Sequence, residues 1–114
     1  MSDQRLILEM GMGVDVHGRD YMKAARRAIS DALRHSSLPL LDAEGIDHRD
    51  MRVVATIGVQ SPDALDTAAL AEELPRGRAE VRAVFGGLDS TDPATGEVVV
   101  IAQAAVEAFL PKRG

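Results

Sequence analysis

The chain has no cysteine. That excludes disulfides, thiol nucleophiles and cysteine-ligated zinc, and it suits a reducing compartment. Aromatic residues are scarce, at 3% of 114 residues: Tyr21, Phe85 and Phe109. A core must therefore be assembled from Val, Leu, Ile and Ala, whose small side chains each bury little area. A core this thin commonly gains stability by self-association. Lysine occurs twice, at Lys23 and Lys112, and no basic run is longer than Arg26-Arg27. With a formal net charge of −5, the chain lacks the clustered cations that displace counterions from nucleic acid. No apolar run approaches the ~20 residues of a membrane-spanning helix. The opening "MSDQR" is polar and has no signal-peptide character, so the expected location is cytoplasmic.

What is present is a single-domain length and a hydrophobic content of 46%, ordinary for a globular protein. Residues 5–10 read as a first strand. Asp20 is an N-cap candidate, followed by Met22, Ala25, Ile29, Ala32 and Leu33 at near-helical spacing. This helix is expected to end near His35-Ser36, ahead of Pro39. "MRVVATIGV", residues 51–59, is rich in β-branched residues and reads as a second strand. "QSPDALDTAALAEELPRG" reads as a short helix, with Ser61 or Asp63 as cap, Pro62 in its first turn and Pro75 and Gly77 beyond its end. "RAEVRAVFGG" alternates as a half-buried strand, "LDSTDPATG" reads as a loop, and "EVVVIA" as a last strand. The tail "AQAAVEAFL" fits either a helix or a continuation of that strand.

The resulting order, β-α-β-α-β-β, predicts an α+β domain: a four-stranded mixed sheet with helices on one face and a closing antiparallel hairpin. The other face needs cover, and another subunit is the natural source. The order resembles the fold of small trimeric enzymes, the Bacillus-type chorismate mutases and the RidA-like imine deaminases. A trimer or a multiple of one is the corresponding expectation, with no nucleic acid or membrane as partner.

Chemistry concentrates in "GMGVDVHGRD", residues 11–20. The stretch fails the dinucleotide fingerprint, because Val16 stands where the third glycine belongs. It also fails as a phosphate-binding P-loop, because Arg19-Asp20 replace the Lys and the hydroxyl residue. Asp15, His17 and Asp20 carry metal-donor atoms, with His35 and His48 as distant additions, yet a catalytic zinc site wants three ligands of defined reach. No metal and no cofactor is expected. In an extended segment Asp15 and His17 point the same way. That reading makes His17 an acid/base, Asp15 its partner or a second base, and Lys23 an anchor for a polar or anionic substrate. Gly11, Gly13 and Gly18 would let backbone N–H groups approach the ligand, and Glu9 and Asp20 would join from the same edge. The plainer reading has His17 bonding within the turn, Asp15 as a turn residue and Lys23 as a solvated charge. Gly58 and Gly86-Gly87, at strand ends, admit a close neighbour or mark a bulge. Arg82 and Glu107 read as surface charges.

The stretch "GMGVDVHGRD", followed by "KAARRAISDAL" and "SSLP", resembles a small conserved-hypothetical family of bacteria and, in longer form, of plants. Its defining motif is G-x-G-x-D-x-H-G, here Gly11, Gly13, Asp15, His17 and Gly18. "IGVQSPDALD", "GGL" and "AAVEAFL" extend the resemblance over most of the chain. Met22 departs from the Thr expected ahead of Lys-Ala-Ala, which removes a hydroxyl from the site. The resemblance implies residues and no established activity. A looser resemblance links the fold type to cyanuric acid hydrolases and barbiturases, built from three joined domains with Ser–Lys pairs at their junctions, although no matching Ser motif is present. The function expected is a small-molecule enzyme of hydrolase, deaminase or isomerase type with its site between subunits. The alternatives are a non-catalytic module that binds a small molecule or a metal, and a structural oligomer.

Overall fold

A computed structural model describes residues 3–34, 51–74 and 78–111. The elements in chain order are β1 (Asp3–Asp15), α1 (Tyr21–Arg34), β2 (Arg52–Val59), a 3₁₀ turn (Pro62–Ala64), α2 (Thr67–Glu72), β3 (Arg78–Phe85), β4 (Leu88–Thr91) and β5 (Val98–Pro111). The sheet has five strands in the order β1-β5-β2-β3, with β4 paired to β5. Only β2 and β3 run parallel; β5 is antiparallel to β1, β2 and β4.

Two expectations are corrected and one open reading is settled. The first strand does not stop at Met10 but continues through the glycines to Asp15, because Gly11 and Gly13 stay in register with Ala104 and Ala102 of β5. The ambiguous tail is strand: Ala102, Ala104, Val106 and Ala108 are buried at every second position, the period of a sheet and not of a helix. The segment read wholly as a loop contains β4, the fifth strand, whose Leu88–Thr91 pair with Ile101–Val98.

The second helical segment is also divided. Pro62 opens the 3₁₀ turn, as its fixed φ allows, and Ser61 makes no side-chain cap bond there. Leu65 turns extended, and Asp66 then caps α2 by accepting from Ala69 N at 3.1 Å. Both helices lie on one face, as expected. Asp66 N donates to Met22 Sδ at 3.2 Å, and Arg26 Nε donates to Glu73 Oε1 at 2.9 Å, tying both ends of α2 to α1. The core between helices and sheet is Ala24, Ala25, Ala28 and Ala32 against Val53, Ala55, Ile57, Val100 and Val106.

Gly58 and Gly86-Gly87 mark a crossing of the chain over itself. After β3 the backbone passes the end of β2 to continue beside β5 as β4. A Cβ on Gly87 would stand 2.1 Å from Ile101 O, and its φ is +63°. Gln60 Nε2 holds the crossing by donating to Gly86 O at 2.9 Å. The close neighbour admitted by these glycines is the chain's own strand. Among the described residues no helix is long and apolar enough to cross a membrane. The predicted helix end at His35-Ser36, and His48, lie outside the described residues.

Candidate functional site

The glycines of the motif come first, because they set where α1 lies. Gly11 and Gly13 face α1 on alternate positions of β1. A Cβ on Gly11 would stand 2.4 Å from Ala28 O and Ala32 N; one on Gly13 would stand 2.1 Å from Ala24 O and 2.3 Å from Ala28 N. Those are backbone atoms that cannot swing aside. The helix presents Ala24, Ala28 and Ala32, all with no exposed surface, to this strip. The expected role of Gly11 and Gly13 as ligand-facing backbone is therefore corrected. The helix occupies the space in front of them, and their missing side chains permit that approach.

Asp15 ends the strand and is 3% exposed. Its Oδ2 accepts from Asp20 N at 3.0 Å, which closes the five-residue turn from strand to helix. Its Oδ1 faces Arg27 Nη1 at 3.8 Å and Lys23 Nζ at 3.9 Å. A buried carboxylate here has one backbone donor and two cations, besides the favourable end of the helix dipole. Arg27 also donates to Val14 O at 2.5 Å. Asp20 is the N-cap foreseen: its Oδ1 accepts from Lys23 N at 3.0 Å. Lys23 is half-exposed, with one side toward Asp15 and the other toward solvent.

His17 does not join Asp15. The ladder to β5 stops at Asp15, so the alternation that would align the two side chains no longer applies. Gly18 at φ +84° and Arg19 at φ +50° turn the chain sharply. The imidazole, 77% exposed, points instead to the β4–β5 connection, where Nδ1 lies 3.5 Å from Glu97 Oε1. Glu9 is set apart as well: six residues upstream on an extended strand is about 20 Å.

His17, Gly18 and Arg19 form one wall of a shallow concavity of about 210 Å³, and Gly96, Glu97 and Val98 form the other. The second wall is a well-tied hairpin loop. Gly96 N donates to Asp92 O and Asp92 N to Glu97 O, both at 2.8 Å. Ala94 N donates to Asp92 Oδ1 at 2.8 Å. A larger groove of about 390 Å³ runs between α1 and the end of α2, over Ile29 and Leu33, and no residue of the motif lines it. Among the described residues no three His, Cys, Asp or Glu side chains gather as a metal site.

A second polar cluster escaped the sequence reading. Tyr21, the first residue of α1, is buried, and its hydroxyl donates to Asp89 Oδ2 of β4. The Asp89 carboxylate, reinforced by burial, raises the Tyr21 pKa above that of an ordinary phenol; hydrogen bonding with Ser61 and the charge of Arg19 work in the opposite sense. Asp89 Oδ1 is buried and has no hydrogen-bond partner among the described residues. Asp15 and Asp89 both pair with Val100, one on each side, so two carboxylates flank β5 beneath the start of α1. The single tyrosine directly after an N-cap was a usable signal. Asp89 was not, because the four-residue strand that carries it is too short to show a periodicity of its own.

A family model of conserved hypothetical proteins matches residues 5–108. An FtsZ-like protein of unknown function from Nostoc punctiforme PCC 73102 is similar in structure, with a TM-score of 0.83 and 29% identity over 98% of this chain and 99% of that one. No curated protein matches the chain.

Proposed function

The chain belongs to the conserved hypothetical family Lin0512_fam, and from that premise we propose that it is a small-molecule enzyme acting through the turn after β1. The observation that carries the reading is the meeting of His17 and Glu97, at 3.5 Å, on opposite walls of one concavity. They come from two different strand connections. A carboxylate that orients an imidazole fixes which ring nitrogen faces outward, which is what an acid/base histidine needs. Arg19, on the wall of the concavity, supplies positive charge for a polar or anionic substrate, and half-exposed Lys23 is the anchor proposed from the Asp15 side. Gly18, which carries no side chain between them, leaves the backbone open to the ligand. Asp15 acts by holding the turn and is a positioning residue.

In this reading the site is shallow in one copy and closed by a second, in a trimer or a multiple of one. The absence of cysteine suits a cytoplasmic setting. The reaction class is hydrolysis, deamination or isomerisation, each of which needs a proton moved at neutral pH.

The test is turnover on a panel of cyclic amides, imines and keto acids. His17→Ala and Glu97→Gln are expected to abolish or sharply reduce turnover while leaving the circular dichroism unchanged. Full activity in His17→Ala overturns the proposal. A second reading, a binding module without chemistry, is favoured by the engagement of Asp15 in the turn, which leaves the motif no spare buried base. Ligand binding that survives in the wild type without any turnover selects it.

A further inference from the structure

We infer that Tyr21 and Asp89 are positioning residues of the His17 concavity: their hydrogen bond is the strut that sets the spacing of its two walls. This rests on the reading above for what the meeting of His17 and Glu97 does, and not for how that meeting is held.

The walls belong to two separate bodies. His17, Gly18 and Arg19 lead directly into α1, and Tyr21 is the first residue of that helix. The turn is fastened to the helix start: Asp20 N donates to Asp15 Oδ2 and Lys23 N donates to Asp20 Oδ1, both at 3.0 Å. Wherever Tyr21 is held, the first wall is held with it. Gly96 and Glu97 close the hairpin between β4 and β5. Glu97 O accepts from Asp92 N at 2.8 Å, and Leu88–Thr91 pair with Ile101–Val98. Asp89, inside β4, therefore moves with Glu97.

The β1–β5 ladder ends at Asp15 and Val100. His17 and Glu97 both lie beyond it, so strand pairing does not fix their separation. Among the described residues, polar side-chain contacts cross the gap at two levels. At the surface His17 Nδ1 faces Glu97 Oε1 at 3.5 Å, with side chains 77% and 61% exposed. A pair so open to water contributes little and does not hold two segments together. Beneath it, the hydroxyl of buried Tyr21 donates to Asp89 Oδ2. A hydrogen bond to a charged acceptor, shielded from water, is the stronger of the two. The spacing is set there.

Asp89 itself argues that the bond serves position. Its Oδ1 is buried and meets no donor among the described residues. Burying a carboxylate with one oxygen unanswered costs stability, and an apolar pair of similar volume in its place is often neutral or better. As core filling, the arrangement is poor. As a strut it supplies what apolar packing lacks, one donor and one acceptor in one direction. Asp89 and Asp15 pair with the same residue, Val100, from opposite sides. Asp15 thus tethers the turn and Asp89 the helix start at one level of the sheet.

Nuclear magnetic resonance on the full chain tests the inference. The probe is the His17 imidazole, and the perturbation is Glu97→Gln. In the otherwise native chain this substitution is expected to shift the ring resonances. In Tyr21→Phe and in Asp89→Ala backgrounds the same response is expected to fall by about half or more, as coupling between neighbours does when their contact opens. Asp89→Asn keeps an acceptor for the hydroxyl and is expected to retain more of the response than Asp89→Ala. Ile57→Val controls for lost stability alone. Ile57 is fully buried and pairs with Ala104, four residues along β5 from Val100; that is about 13 Å of strand, and the variant is expected to leave the response intact. Where Tyr21→Phe does not fold, the Asp89 variants decide. A full response in Tyr21→Phe or Asp89→Ala overturns the strut, as does an equal loss in Asp89→Asn and Asp89→Ala or in Ile57→Val. A His17 ring indifferent to Glu97→Gln in the native chain overturns both proposals. Full turnover in His17→Ala sinks the enzyme reading and leaves the strut standing.

Discussion

Gly13→Ala adds one methyl group, and the structure says where it goes. The new Cβ would lie 2.1 Å from Ala24 O and 2.3 Å from Ala28 N. Both contacts are more than an ångström inside van der Waals separation. Their partners are helix backbone, fixed by the hydrogen bonds of α1. Relief requires α1 to lift from β1, which thins contacts along Ala24, Ala28 and Ala32, all fully buried. Overpacking in cores costs about 1–3 kcal/mol, and a backbone clash belongs at the upper end. The lost freedom of glycine in the unfolded chain returns only about 0.4–1 kcal/mol. The net expectation is a loss of about 2 kcal/mol, a large share of a stability that is typically about 5–15 kcal/mol. Gly18→Ala is the control: its φ is +84°, but nothing lies within 4 Å, so only backbone strain of about 1 kcal/mol is expected. Urea denaturation followed by circular dichroism measures both. A Gly13→Ala variant within ~0.5 kcal/mol of wild type, the ordinary spread of harmless substitutions, would refute the argument that the motif glycines exist for helix approach.

Other consequences follow from the same geometry. Gly11→Ala and Gly13→Ala displace the same helix, so the double variant is expected to lose less than the sum of the singles, read from the same urea curves. Asp15→Ala leaves Asp20 N without its acceptor and removes the buried carboxylate between Lys23 and Arg27; a loss of about 2–3 kcal/mol is expected by thermal and urea unfolding, with or without substrate present. Tyr21 holds its proton more tightly when folded than when unfolded. Its contribution is therefore complete below pH ~10, the ordinary phenol value, and declines as pH rises through the folded value. Stability measured from pH 8 to pH 12 is expected to fall more steeply in the wild type than in Tyr21→Phe, and parallel curves would contradict this.

The parts of the fold readable in the sequence were those where one periodicity acted alone. Helix α1 was legible because Asp20 caps it and Ala25, Ile29 and Ala32 repeat at helical spacing. Strand β2 was legible from its β-branched run. The failures share a cause. Gly11 and Gly13 read as ligand-facing backbone because glycine leaves the chain open locally, whereas here the demand comes from α1, which the local sequence does not mention. The Ala-rich tail carries no strong preference, and only pairing with β1 and β2 on its two sides makes it a strand. Strand β4 is four residues long and is defined by crossing over Gly86-Gly87, a tertiary event. At the site, the motif picked out the strand-to-helix turn but not the partners of its side chains. Asp15 and His17 are two residues apart, yet the end of the ladder falls between them. Glu97 could not be tied to His17 without the hairpin that brings it back. The placing of both helices on one face of the sheet, by contrast, was legible in the element order alone.

The most direct test is the response of the backbone and imidazole resonances to a panel of small polar compounds. The account predicts that a binding compound shifts His17, Gly18, Arg19, Gly96 and Glu97 together and leaves Gly11 and Gly13, sealed beneath α1, unmoved. A compound that is turned over or bound while the His17 and Glu97 signals stay fixed would contradict it.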